Sequence, residues 1–154
     1  MELLDYDPVT GHFYWKTSNT GHWRGDVAGS VSVYGYIKIT IRGHTVLAHR
    51  LAWLFMTGEW PPVGLIVEHR DTIGTNNAWT NLRLANNSQN QANTHGRREG
   101  RLKGTRFIKE GVYEAQITKN RKNHYLGRFP TEIAAHAAYR AAAKKHFGEF
   151  ARAA

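Results

Sequence analysis

Residues 67–83 read VEHRDTIGTNNAWTNLR, gathering Glu68, His69, Asp71 and three asparagines into one short stretch. An imidazole with an ordinary pKa near 6.5 is a competent base at neutral pH, and such bases typically contribute about 10²–10⁴-fold to a rate. Carboxylate and amide oxygens suit a hard divalent cation, Mg²⁺ or Mn²⁺, better than zinc. A base and a cation together supply what phosphodiester hydrolysis needs: an activated water, charge neutralisation on the phosphorane and help for the departing oxygen. Here Glu68 offers a carboxylate, His69 a base and Asn81 an amide on the element that follows. The same residue types also make a polar turn with a helix cap, and their chemistry alone leaves both readings open.

Such groups act only if neighbouring elements hold them. Leu65-Ile66-Val67 is a brief apolar strand that delivers Glu68 and His69 to its end. The loop RDTIGTNN follows, and Trp79, Leu82 and Leu84 predict a short helix capped by Asn76 or Asn77. Upstream, DPVTG within residues 1–16 predicts a hairpin or a turn before a strand, and residues 17–30 read as loop. VSVYGYIKITI over 31–41 alternates, with Ile37, Ile39 and Ile41 on one face, and Thr45-Val46-Leu47 returns after an Arg42-Gly43 turn. Leu47, Leu51, Leu54 and Phe55 recur at helical spacing, predicting a helix that carries His49 and Arg50 and ends near Gly58.

The second half is different in kind. Residues 85–103 offer almost nothing to bury and read as a linker whose Asn, Gln and Arg side chains can follow a nucleic-acid groove. Residues 104–129 predict three short strands, with Tyr113, Ala115 and Ile117 alternating against Glu114, Gln116 and Thr118, then a basic turn, Asn120-Arg121-Lys122-Asn123. Thr131 caps a helix that runs to about Phe147 and stops at Gly148. Its many alanines let it lie close on the sheet, leaving the other sheet face open.

Charge sharpens the contrast. Residues 1–95 carry seven Lys/Arg and seven Asp/Glu, so the whole excess of +9 falls in residues 96–154. A polyanion is the partner this implies. There are no cysteines, which excludes disulfides, thiolate zinc sites and cysteine nucleophiles. No apolar run is long enough for a membrane span, and no basic-then-apolar start marks a secretory signal. The expectation is a protein that is cytoplasmic and not secreted.

His69, Asn77 and Asn81, followed by Leu82-Arg83, resemble the ββα-metal motif of HNH endonucleases, most closely the phage and intron homing type. The resemblance extends through AHRLAW at 48–53, TGEWP at 57–61 and YDPVTG at 6–11. Residues 104–154 resemble the DNA-binding domain of plant ethylene-response factors, in Tyr113-x-Ala115-x-Ile117, Leu126-Gly127-x-Phe129 and the Ala-rich helix with Tyr139.

These resemblances imply an α+β chain. A ββα-metal nuclease core would occupy residues 1–84 and a linker 85–103; a small three-stranded antiparallel sheet packed on one helix would occupy 104–154. They imply a DNA endonuclease dependent on Mg²⁺ or Mn²⁺, acting on double-stranded DNA as a monomer or a DNA-assembled homodimer. His69 would be the general base, Asn77 would brace the loop and orient it, and Glu68 and Asn81 would be metal ligands. The family usually has Asp where this chain has Glu68, one methylene longer, with Asp71 as a substitute donor of lower rank. Position 78, often basic in the family, is Ala78. On the sheet, Arg106, Gln116, Thr118, Tyr125 and Arg128 would face DNA, with Lys103 and Asn123 at the margin. Ile108 and Thr118 stand where plant domains carry specificity arginines, so their target preference does not transfer. The alternatives are a catalytically weak or inactive sequence-specific DNA-binding protein, kept open by Glu68, and an RNA-binding module.

Overall fold

The computed structural model describes residues 2–94 and 100–152. The chain is mixed α/β and divides into two compact units, Met1–Ala85 and Asn86–Ala154.

In the first unit, β1 (Leu4–Tyr6) and β2 (Phe13–Trp15) form an antiparallel hairpin around the DPVTG turn. The expected strand over 31–41 is shorter than its alternation suggested. β3 (Ser30–Val31) pairs with β4 (Ile37–Ile41), and residues between them turn, with Ser32 and Tyr36 bonding backbone to backbone. β5 (His44–Leu47) returns antiparallel on β4. Helix α1 (Ala48–Thr57) follows and closes at Gly58 in the left-handed region. It packs on β4, β5 and β6 (Ile66–His69). Leu4, Phe13, Ile39, Leu51, Val67 and Leu82 meet in one core, each contributing about 1.5–3 kcal/mol by burial.

The helix expected from Trp79, Leu82 and Leu84 is not there. Trp79–Asn81 makes one 3₁₀ turn, and Leu82–Ala85 is a strand, β7, antiparallel to β6. Neither Asn76 nor Asn77 is its cap residue: that position is Ala78, whose N–H donates to the Asn76 side chain at 3.4 Å and which makes no side-chain capping bond. Spacing could not separate a short helix from a strand in so brief an apolar run, and pairing with β6 decides it. The expected strand–loop–helix is therefore strand–loop–strand.

The second unit begins with another departure. The segment read as linker opens with helix α2 (Asn87–Asn93), held by a capping box: Asn86 accepts from the Gln89 amide while the Gln89 side chain accepts from Asn86. The carbonyls at its far end are met by Lys103, whose ammonium donates to Gln91 (3.1 Å), Ala92 (2.7 Å) and Thr94 (2.5 Å). Residues 95–99 of the expected linker lie outside the described residues.

β8 (Thr105–Lys109), β9 (Val112–Lys119) and β10 (Lys122–Phe129) form an antiparallel sheet, order β10-β9-β8. The turn between β9 and β10 is only Asn120-Arg121, both at positive φ, as a tight two-residue hairpin requires. Lys122 and Asn123 already belong to β10. Helix α3 (Glu132–Phe147) packs on β9 and is capped by Thr131, whose hydroxyl accepts from Ala134 N–H. Ala135, Tyr139, Ala143 and Phe147, four apart, are its buried stripe. Gly104 lies flat on Tyr139: a Cβ there would fall 2.0 Å from the ring, and its φ of +80° already favours glycine.

Candidate functional site

The β6–β7 hairpin sets every group of the first candidate site. His69 is the last residue of β6, opposite Leu82, and Glu68 stands directly opposite Arg83. Cross-strand register therefore joins Glu68 and Arg83, with Arg83 Nε donating to Glu68 Oε1 at 2.5 Å; both residues are buried. The loop of residues 70–81 folds over His69 and is stapled by Asp71. Its carboxylate accepts from Ile73 N–H, from the Asn76 amide (2.7 Å) and from the Asn81 amide (2.9 Å). Burial works against the Asp71 anion, yet these donors hold its pKa below the ordinary carboxylate value.

Asn77 is almost fully buried, and its Oδ1 lies 3.0 Å from His69 Nε2. Its own Nδ2 donates to the Thr75 carbonyl, which fixes which end of the amide faces the imidazole. An amide oxygen only accepts, so His69 carries its proton on Nε2 and its basic lone pair on Nδ1. Burial pushes the His69 pKa down, opposed by the Asn77 hydrogen bond and by Asp71 and Glu68. The ring is neutral at pH 7, the form a base requires.

Two rings wall His69. Tyr36 lies 5.9 Å away and His49 meets it edge-on at 4.9 Å, centroid to centroid. His49 is buried on α1, and its Nδ1 has no hydrogen-bond partner among the described residues. Burial first, then the neighbouring His69 and Arg50, lower its pKa to about 4. The unfolded chain takes up this proton near pH 6.5 and the folded one only near 4, so stability falls as pH drops through that window. At pH 5 this group alone should cost about 2 kcal/mol relative to pH 7. Urea unfolding at both pH values checks it, since His49→Phe should remove most of the difference.

Glu68 and Asn81 do not present a preformed cation site. Glu68 is held by Arg83. Asn81 accepts from Asp71 N–H through Oδ1 (3.1 Å) and donates through Nδ2 to Asp71 and to the Asn76 carbonyl. Among the described residues no three His, Cys, Asp or Glu side chains cluster as metal ligands. The donors are oxygens, the right chemistry for a hard cation, but each already has a partner.

The second candidate site is the open face of the C-terminal sheet. Arg106 and Arg128 both pair with Glu114, Tyr125 with Gln116, and Asn123 with Thr118. Arg128 would face the helix side if β10 were regular; the register shift between Tyr125 and Gly127 returns it to the open face. Arg128 Nε donates to Glu114 at 3.1 Å, and the Thr118 hydroxyl donates to Asn123 Oδ1. Six of the seven residues expected to contact DNA thus share one face. Lys103 does not join them. Its ammonium is spent on the α2 carbonyls, and burial, then Arg152, lowers its pKa to about 8.

Sequence reasoning missed three participants. Arg83 was noted only as part of a motif, since its role depends on a strand that spacing did not reveal. Tyr6 reaches the Asn77 carbonyl from 71 positions away. Asp71, ranked only as a substitute ligand, is the staple of the loop; its place before a run of asparagines was the available signal.

Comparison with known proteins shows the family. The sequence model of the HNH endonuclease family matches residues 46–92, from β5 through α2. An uncharacterised HNH endonuclease of Acanthamoeba polyphaga mimivirus is 36% identical over 148 residues, covering 96% of this chain and 70% of the viral protein. No solved structure matches. With that identity over nearly its whole length, and with a histidine held ready at a strand end, the chain belongs to the HNH endonuclease family.

Proposed function

We propose that the protein is a DNA endonuclease of the homing type that hydrolyses phosphodiester bonds at the His69 site and selects its target through the C-terminal sheet. The observation that carries this reading is the Asn77–His69 contact, which puts the lone pair of the neutral imidazole at Nδ1. In the reaction His69 Nδ1 takes a proton from water as the oxygen attacks phosphorus. Asn77 stabilises the resulting imidazolium through Nε2–H, and Tyr36 and His49 keep the ring from turning. As the water oxygen bonds to phosphorus the P–O3′ bond breaks and the 3′-oxygen takes a proton from solvent, leaving 5′-phosphate and 3′-hydroxyl ends. One site cuts one strand, so a monomer nicks and a DNA-assembled dimer cuts both.

Mg²⁺ or Mn²⁺ is the cofactor of this proposal, and it supplies charge neutralisation at the phosphate when bound. Glu68 and Asn81 are its proposed donors; to ligate, each must exchange a partner it holds here, Arg83 for the first and Asp71 for the second. Incubating supercoiled plasmid with the protein and either metal tests the reading. Relaxed or linear product that EDTA suppresses is expected, and intact plasmid in every metal would end it.

The C-terminal sheet, read as ethylene-response-factor-like, is proposed to enter the major groove. Arg106 and Arg128 suit guanine and Gln116 suits adenine, while Tyr125, Thr118 and Asn123 support the edges. Lys119, Arg121 and Lys122, at the hairpin between β9 and β10, are the proposed phosphate contacts. Arg121→Ala should weaken binding to all sequences alike and reduce the slope of log affinity against log salt by about 1. Gln116→Ala should instead relax discrimination at one base pair, by about 1–3 kcal/mol. Fluorescence anisotropy over a salt series separates the two effects, and an unchanged slope for Arg121→Ala would remove the hairpin from the interface.

A second reading, binding without efficient cutting, is favoured by the Glu68–Arg83 pair. It predicts salt-sensitive DNA binding with intact plasmid. Competition of duplex DNA against structured RNA at one salt concentration addresses the RNA-binding alternative.

A further inference from the structure

The loop that carries Asn77 is held from outside as well as from within. Three ties come from the β1–β2 hairpin. The Tyr6 hydroxyl donates to the Asn77 carbonyl at 2.7 Å. Trp79 N–H donates to the Pro8 carbonyl at 2.9 Å. Gly11 lies against the peptide joining Asn77 to Ala78 so closely that a Cβ would fall 2.2 Å from both the Asn77 carbonyl carbon and the Ala78 nitrogen.

The turn itself is rigid. The Asp7 carboxylate accepts from Val9 N–H (2.9 Å) and from the Thr10 hydroxyl (2.7 Å), and Gly11 N–H donates to the Asp7 carbonyl (2.8 Å). Asn77 is thereby gripped at both ends: its backbone by Tyr6 and Gly11, its side chain by His69.

We propose that residues 6–11 are a clamp that sets the tautomer and orientation of the His69 imidazole, with Tyr6 a positioning residue that acts through Asn77. This rests on the reading of His69 as the base. The clamp answers a physical need. A loop of polar residues over a buried ring has many conformations of similar energy, and displacement of a catalytic group by about 1 Å can cost up to 10²-fold. Packing from the hairpin removes those alternatives before DNA arrives. A phenol fits the task because burial raises its pKa to about 12, so it remains a donor throughout the working range. Losing it leaves the Asn77 carbonyl buried beside an apolar ring.

The test uses the full chain carrying Tyr6→Phe or Gly11→Ala, with Val63→Ala, an exposed side chain outside the clamp, as control. The imidazole ¹⁵N shifts of His69 report its tautomer whether or not the protein cuts DNA. Single-turnover plasmid nicking against pH reports function. Expected is one Nε2–H tautomer in the parent and in Val63→Ala, and a tautomer mixture in Tyr6→Phe. With it should come a drop of about tenfold in the single-turnover rate at unchanged DNA affinity. A parent-like His69 spectrum in Tyr6→Phe overturns the clamp, whatever the nicking rate. A changed spectrum in a protein whose parent never nicks leaves the clamp standing and removes the nuclease reading instead. Tyr6→Phe adds no atoms, so it decides the matter even if Gly11→Ala fails to fold.

Discussion

His69→Ala is expected to reduce plasmid nicking by about 10²–10⁴-fold while DNA affinity stays within about twofold of the parent. The expectation follows from where the ring sits. It closes β6, its Nε2 is tied to Asn77, and it lies in a different unit from the sheet face proposed to bind DNA. The lost function is proton removal from water, so the deficit should appear in the single-turnover rate and not in the binding constant. The pH profile gives an independent check. Burial holds the parent imidazole below its ordinary pKa of 6.5, so the acid limb of the rate should lie below that value and the rate should be flat near neutrality. The alanine variant should lack this limb. Equal nicking by parent and variant would show that another group supplies the base.

Arg83→Leu should destabilise the protein by about 3–5 kcal/mol, the usual cost of stranding one partner of a buried ion pair. Glu68 and Arg83 are 4% and 7% exposed, and strand register sets the guanidinium against the carboxylate. Water cannot compensate the bereaved carboxylate. Replacing both residues by leucine should recover much of the loss, because an apolar pair of similar volume leaves no unpaired charge. Urea unfolding of the parent, both single variants and the double variant yields the coupling energy directly. A single-variant loss under about 1 kcal/mol would mean the pair is solvated and weak. The same set probes the cofactor proposal: if Glu68 must leave Arg83 to ligate Mn²⁺, Glu68→Gln should weaken metal affinity even where the fold survives.

Much of the site was legible because its chemistry is local. His69 ends β6 and Asn77 lies eight residues on, in the loop that follows; residue type pointed to the first and the resemblance to HNH endonucleases to the second. Helices α1 and α3 were readable from apolar recurrence and from punctuation at Gly58, Thr131 and Gly148. What stayed hidden depends on partners far along the chain. Leu82 and Leu84 suit a helix or a strand equally until β6 is alongside. Asn81 looked like a ligand because its amide is the right chemistry, yet the Asp71 side chain, ten positions earlier, uses that amide to close the loop. Lys103 looked like part of a basic surface, although its nearest acceptors are the carbonyls of a helix that composition had hidden. The α2 cap was present in the sequence as Asn86 followed three positions later by Gln89, and it was masked by the polarity of everything around it.

Helix α2 also bears on how this protein can be cut apart and recombined. By sequence it completes the segment matched by the nuclease family, which runs to residue 92, but by packing it lies in the C-terminal body and is anchored there by Lys103. A chimaera joined at the polar stretch after the helix would strand those carbonyls without their ammonium, whereas a junction at Ala85 would transplant helix and anchor together. Evolution can exchange such a carboxyl-terminal half for another only if the incoming half brings its own fastening for that helix.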